Sequence, residues 1–414
     1  MNILFLSLSS SVSLNQSGIY ADLLREFVKH NHSVYAVSPA DKLAERDEIA
    51  LESEFYTVLK VKTEKIQKVK NNIVKGINTL LVGEKYANAI KKYYSSVHFD
   101  LILYSTPPIT FLKAIKYVAK RDNAKTFLLL KDIFPQNAVD IGMLSKSGIK
   151  GVIYRYFRSQ EKKLYKISDY IGCMSKANAE YIMKNNPNVL PDRVNICPNS
   201  IDISSIRKIT NKDKIRKRYG IPLDKTVFIY GGNLGKPQDI PFVINCLKAN
   251  ENYNDRFFVI CGTGTEHPKL KAYIDECHPE NILLINGLPK DEYEGFVGCC
   301  DVGLIFLDHR FTIPNFPSRI LSYMKNCMPV LACTDANTDV GKVIVDGNFG
   351  WWCESNSVDD FVSYVNKAVD SNLSTMGNNA FSYLCEEFSV SESYEIILKS
   401  IDGSDGLLNI KQKP

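Results

Sequence analysis

Six segments of this 414-residue chain hold residue types that could bind or transfer a charged group. Gly231-Gly232-Asn233-Leu234-Gly235 follows an apolar run and precedes a helical one, with Lys236, Gln238 and Pro241 just beyond. Glycines there let backbone approach a phosphate closely, and a helix start favours anions. Cys261-Gly262-Thr263-Gly264 repeats the arrangement one unit later, and Gly287-Leu288 follows a third apolar run. Pro317-Ser318-Arg319 closes a proline-rich turn before another helix, placing one fixed cation and free N–H groups together, as a diphosphate requires. Asp132 ends an apolar run in Lys131-Asp132-Ile133-Phe134-Pro135 and could accept a proton or a sugar hydroxyl. Ser17-Gly18 opens the first helix. On residues alone each has a plainer reading. The glycines suit simple turns, Asp132 suits a helix cap and Arg319 suits an exposed surface.

The elements that must position these residues are short apolar runs alternating with longer amphipathic stretches. Runs at 2–8, 33–37, 101–104, 126–130 and 170–174 read as strands, with a helix over 18–30 (Ile19, Leu23, Leu24, Phe27). The grammar restarts after residue 200, with strands at 226–230, 257–261, 282–285, 302–306 and 329–333. This predicts an α/β chain of two doubly wound Rossmann-like domains facing a central cleft, ligands lying beyond the carboxyl ends of the strands. Domain ranges of 1–200 and 201–385 follow. The stretch Pro198-Asn199-Ser200-Ile201-Asp202-Ile203 is the linker and hinge, and residues 386–414 form a helical segment crossing back to the first domain.

Composition narrows the function. Hydrophobic residues make up 45% and charged residues 23%, a globular balance that excludes disorder and coiled coil. The eleven cysteines show no CxxC pair and read as buried thiols of a reducing compartment. No Asp-x-Asp or His-Glu cluster stands at a strand end, so no metal ligand is assigned. No run is long enough to span a membrane. The net charge of +5 hides a split, because residues 1–200 carry 29 Lys and Arg against 18 Asp and Glu, and residues 201–414 carry 22 against 28. Three basic stretches stand out: Lys60–Lys92 with Ile66, Val69, Ile73, Ile77, Leu80 and Leu81 at helical spacing; Lys113, Lys116, Lys120 and Arg121; and Arg155, Arg158, Lys162, Lys163 and Lys166 with Tyr154, Tyr156 and Phe157. Such faces suit an anionic membrane surface, and no nucleic-acid recognition module is apparent.

The motifs together resemble a known family. HNHSVYAVSP, ICPNSIDI, YGGNLG, CGTGTEHPKL, GLPKDEYEGFVGCCDVGLIFL and PSRILSYMKNCMPVLA are similar, over nearly the whole chain, to segments of retaining family 4 (group 1) glycosyltransferases of the GT-B fold. KDIFPQNAVDIGML resembles a bacterial subgroup of O-antigen, capsule and exopolysaccharide transferases, including N-acetyl-L-fucosamine transferases. The family's Glu-x7-Glu pair falls here on Pro314 and Ser322, and its basic diphosphate residues fall on Asn233 and Gln238. The resemblance implies transfer of a sugar, with retention and without a metal, from a nucleotide diphosphate sugar (UDP-linked) to an undecaprenyl-diphosphate-linked acceptor. No cofactor beyond the donor is implied. The setting is the cytoplasmic face of the plasma membrane, with peripheral attachment. Residues and resemblance together assign Asp132 and Arg319 to catalysis. They assign Gly18, Gly232, Asn233, Leu234, Gly235, Lys236, Gln238, Gly262, Gly264, Gly287, Leu288, Pro317, Ser318 and Ser322 to the donor. Two alternatives stand beside this: a nucleotide-sugar epimerase of the same fold, and a non-catalytic nucleotide-sugar-binding partner.

Overall fold

A computed structural model describes residues 1–9, 11–40, 44–63, 72–206 and 211–403. The chain forms two α/β units, one of residues 1–202 and 390–414 and the other of residues 203–389.

Unit 1 is built on eight strands: β1 (Asn2–Leu6), β2 (Ser33–Pro39), β3 (Glu48–Ser53), β4 (Tyr56–Val61), β5 (Leu101–Ser105), β6 (Lys125–Leu130), β7 (Tyr170–Cys173) and β8 (Val194–Ile196). Their order is β3-β4-β2-β1-β5-β6-β7-β8, parallel throughout except for the antiparallel β3–β4 pair. The central strands are near-continuous apolar runs, which a sheet covered by helices on both faces demands; every residue of β5 is buried. The helices are α1 (Ile19–Lys29), α2 (Asn72–Tyr93), α3 (Leu112–Asp122), α4 (Gln136–Asp140), α5 (Gly148–Ile167) and α6 (Lys176–Asn185). In α1 the expected apolar face holds, with Leu23, Leu24 and Phe27 packed in a core with Phe5 and Val34.

Two differences from the sequence reading concern unit 1. The β3–β4 hairpin was not anticipated, because the exposed β3 lacks a buried-strand pattern: Ile49 and Leu51 stand open to solvent. As a result the basic stretch from Lys60 is not one helix. Lys60 and Val61 end a strand, and α2 begins only at Asn72. Ile66 and Val69, and the side chains of Ile73, Ile77 and Leu80, lie outside the described residues.

Unit 2 has strands β9 (Thr226–Asn233), β10 (Arg256–Thr263), β11 (Ile282–Ile285), β12 (Val302–Phe306), β13 (Val330–Thr334) and β14 (Gly350–Glu354), all parallel, ordered β11-β10-β9-β12-β13-β14. Helices α7 (Lys212–Tyr219), α8 (Ile240–Lys248), α9 (His267–Cys277), α10 (Lys290–Val297), α11 (Arg319–Lys325), α12 (Val340–Asp346), α13 (Val358–Val369) and α14 (Leu373–Glu387) surround the sheet. The order of connection reverses between β9 and β12, the switch point where open α/β sheets leave a crevice.

The carboxyl-terminal crossing is shorter than the sequence reading placed it. α13 packs on α8 and β14, and α14 on α11, so both remain in unit 2. Only α15 (Val390–Asp402) packs against α1 and β7 of unit 1. There Tyr394 stacks on His30 at 4.4 Å and meets Phe27 edge-on at 5.0 Å. All eleven cysteines are free thiols.

Candidate functional site

In unit 2 the residues converge on the switch point. Strand β9 ends in Tyr230, Gly231, Gly232 and Asn233. Arg319, the first residue of α11, lays its guanidinium over the Tyr230 ring, 4.2 Å from the centroid, a cation–π contact that holds it without neutralising its charge. The Arg319 Nη1 is buried and has no hydrogen-bond partner among the described residues. Its Nη2 lies 3.3 Å from where a side chain on Gly232 would begin, so Gly232, at φ 127°, leaves open the space directly before the cation. Two further tyrosines wall the cation in. The Tyr293 ring occupies the position of an absent Gly231 side chain, and Tyr323 donates its hydroxyl proton to the carbonyls of Ile229 or Leu304 while accepting the Gly231 N–H. A buried guanidinium nitrogen left without an acceptor is costly unless an anion completes it. Thus Arg319 is not the solvent-exposed side chain of the plainer reading. Ser318 precedes it, exposed and making no cap. Pro317 accepts the Ile320 N–H at 3.3 Å. With only seven residues in α11, the positive charge here belongs to Arg319 rather than to a helix dipole.

Other expected donor contacts are engaged inside the fold. Gly235 donates its N–H to Gln238 Oε1 at 3.0 Å, and Asn233 Nδ2 donates to the same oxygen at 3.1 Å. Leu234 is wholly buried, and its N–H goes to Thr263 O at 2.9 Å. So Gln238 is an internal brace of the glycine loop, not a ligand reaching outward from it, and the N–H groups of Leu234 and Gly235 are already satisfied. Lys236 is exposed. Gly262 and Gly264 are likewise structural: side chains there would begin 1.9 Å from Gly232 O and 2.2 Å from Leu234 O. They let the end of β10 pack against the β9 loop. Gly287 is different: a side chain there would meet only the Thr263 methyl, at an ordinary 3.7 Å, with Leu288 half-buried beside it.

Ser322 hydrogen-bonds Glu294 Oε2 at 3.3 Å, and that carboxylate is ion-paired with Lys325 at 2.5 Å. The carboxylate that the motif comparison finds missing at 322 is therefore present in space, from α10. Helical spacing along the sequence gives no sign of that meeting. Asp239, Asp308 and His309 also gather, their ligand-type atoms within 4.8 Å of one another. Asp308 is wholly buried and already paired with Arg310, which holds its carboxyl below the usual range against the cost of burial.

In unit 1, Asp132 sits two residues beyond the end of β6. It does not cap α4, whose first turn has no side-chain cap. Asn137 Nδ2 donates to both carboxylate oxygens at 2.8 and 2.9 Å, while Thr106 Oγ1 donates to the Asp132 carbonyl. Burial raises the carboxyl to about 6, the hydrogen bonds only partly opposing this, and the nearby Glu161 adds to it. A carboxyl poised near neutrality suits proton transfer. Lys131 beside it is half-buried, donates from Nζ to the Cys197 carbonyl at 3.3 Å, and has its ammonium pulled down by desolvation. Gly18, at φ 144°, begins α1, but its N–H donates to Asp22 Oδ1 at 3.0 Å and is not free for a ligand. Sequence reasoning missed Asn137 and Tyr230. Tyr230 had a signal, as the last aromatic before a glycine pair; Asn137 had none beyond its place in the next turn.

Two Rossmann-like units of this topology define the GT-B glycosyltransferase fold. Residues 211–382 match the family model described as glycosyl transferases group 1, and the chain is a glycosyltransferase. It is 24% identical over 303 residues to the probable glycosyltransferase WbjE of Pseudomonas aeruginosa, covering 70% of this chain and 71% of that one. Among solved structures, sucrose-phosphate synthase from Thermosynechococcus elongatus superposes with a TM-score of 0.74 at 11% identity, covering 97% of this chain and 98% of the other. Anabaena HepE in complex with UDP-glucose superposes with 0.67 at 15% identity, covering 97% and 100%. WaaG, a glycosyltransferase involved in lipopolysaccharide biosynthesis, gives 0.64 at 14%, covering 97% and 98%.

Proposed function

We propose that this enzyme moves a hexosyl or N-acetylamino sugar from a UDP-linked donor to an undecaprenyl-diphosphate-linked glycan precursor in bacterial surface polysaccharide synthesis. Unit 2 takes the donor. Unit 1 takes the acceptor on the cytoplasmic face of the membrane. The observation that carries the reading is Arg319, fixed over Tyr230 before the space at Gly232, with a buried Nη1 that has no hydrogen-bond partner among the described residues. It is a preorganised site for charge that grows on a departing diphosphate. HepE binding UDP-glucose and WaaG acting in lipopolysaccharide synthesis support the donor and the pathway class.

In the step proposed, the acceptor hydroxyl oxygen bonds to the anomeric carbon as the bond from that carbon to the diphosphate oxygen breaks. The hydroxyl proton passes to the departing diphosphate on the same face, which retains the configuration. Arg319 stabilises the negative charge released. Asp132 holds sugar hydroxyls or relays the proton. No metal is needed where the guanidinium supplies the charge. The test is incubation of the full chain with labelled nucleotide sugars and a lipid-diphosphate acceptor. Transfer that survives chelation supports the reading. Donor isomerisation, or binding without turnover, overturns it.

A further inference from the structure

Helix α5 carries apolar side chains on the face opposite its buried one. Gly151, Glu161, Leu164 and Tyr165 face inward. Ile149, Val152, Ile153 and Tyr156, spaced i, i+3, i+4 and i+7, form a single stripe on the other side. They are open to solvent, and Ile149 at 86% exposure is the most exposed large apolar side chain among the described residues. Met143 in the preceding loop is also exposed. A contiguous aliphatic stripe on a surface marks an interaction site. Residues 141–160 contain no Asp or Glu but hold Lys146, Lys150, Arg155 and Arg158. Arg158 is occupied by Glu161 and Asn186, whereas Lys146, Lys150 and Arg155 are exposed beside the stripe, followed by exposed Lys162, Lys163 and Lys166.

We propose that this stripe is the element of unit 1 that enters a membrane, seating the aliphatic side chains among acyl chains while the flanking lysines hold anionic headgroups. Charge decides the occupant: a second copy of the same face would bring like charges together, but an anionic bilayer complements them. The location fits too. Phe157 of α5 packs edge-on against Phe134 at 5.0 Å, and Tyr154 donates to Gln136 Oε1 at 3.4 Å, so the opposite side of this helix supports the segment that carries Asp132. Membrane entry at α5 would bring that carboxyl close to a headgroup-borne sugar. The proposal deepens the lipid-linked acceptor reading and rests on it, but its test needs no turnover.

Full-length protein is floated with vesicles of mixed phosphatidylglycerol and phosphatidylcholine, and with phosphatidylcholine alone. Wild type should bind the mixed vesicles at low salt and dissociate as salt rises. Each of Ile149→Ser and Val152→Ser should weaken binding by about tenfold, the size expected for one aliphatic side chain, with the melting temperature unchanged. Lys150→Glu with Lys163→Glu should abolish the preference for anionic lipid. A tryptophan at position 153 (Ile153→Trp) should be quenched by brominated acyl chains. Transfer to a short-chain, water-soluble acceptor should remain at the wild-type rate in the stripe variants, so loss of docking and failure of the transferase reading give different results. No flotation of wild type, flotation unaffected by the stripe substitutions, or a lipid-free dimer that Ile149→Ser disperses would overturn the proposal.

Discussion

Asp132 and Arg319 were reachable from the sequence because each follows the carboxyl end of a strand, where parallel sheets present ligand-binding residues. Their surroundings were not, since hydrogen-bond partners such as Asn137 and platforms such as Tyr230 meet them only in the folded chain. Arg319→Ala should reduce kcat/KM by about a hundredfold or more, the scale of losing one preorganised donor, with the fold retained by circular dichroism. Arg319→Lys should recover little, because an ammonium cannot lie flat on Tyr230 and present a second nitrogen. Asp132 makes a prediction with a definite sign. Burial lifts its carboxyl from 3.8 to about 6, so the folded chain keeps a proton that the unfolded chain releases. Stability from this group therefore declines as pH rises from about 4 to about 6 and stays lost above that. Asp132→Asn should accordingly stabilise the protein near neutral pH, by at most about 3 kcal/mol, with the gain vanishing toward pH 4, while transfer falls sharply. Denaturant melts across pH check the first half and an activity assay the second. A variant that is both inactive and destabilised at neutral pH would refute the buried-carboxyl account.

At the level of elements, apolar runs and amphipathic spacing located most strands within a residue or three, because buried parallel strands are continuous in hydrophobicity. The hairpin of β3 and β4 escaped for the opposite reason, its outer strand being largely exposed, with no buried residue. Glycine turns show a different limit. Gly262, Gly264 and Gly287 look alike in sequence, yet two are pressed against backbone carbonyls and one would meet only a methyl group at ordinary contact distance. Gly262→Ala and Gly264→Ala should therefore each destabilise unit 2 by about 3 kcal/mol or more, whereas Gly287→Ala should melt like wild type. If all three melt alike, the packing of the β10 end on the β9 loop is not what these glycines serve. The exposed stripe of α5 was illegible for a related reason: spacing identifies an apolar face, but not whether another element covers it.

On the scale of the whole molecule, the charge split seen along the sequence persists when residues are grouped by unit. Unit 1 holds 32 basic against 23 acidic residues, and unit 2 holds 19 against 23. The units are also unequal in connectivity, since unit 2 is one continuous stretch whereas unit 1 takes α15 from beyond it. Val390 N–H donates to Ile201 O at 3.1 Å, and Ser393 Oγ bonds Pro198 O at 3.5 Å, so the returning chain is fastened to unit 1 as it arrives. Tyr394→Ala should cost unit 1 about 3 kcal/mol, measured by denaturant titration. A fragment of residues 203–389 should fold alone and be stabilised by UDP in a thermal-shift assay, whereas residues 1–389 should expose the apolar surface that Phe27 and Tyr394 share. This threading has a consequence for synthesis. As the ribosome works from the amino terminus, the second unit has all its residues before the first unit receives its last helix. The enzyme's amino-terminal half must therefore wait, incomplete, through the making of the whole donor unit, and a chain that stops between the end of α14 and the start of α15 would retain a finished second unit on an unfinished first one.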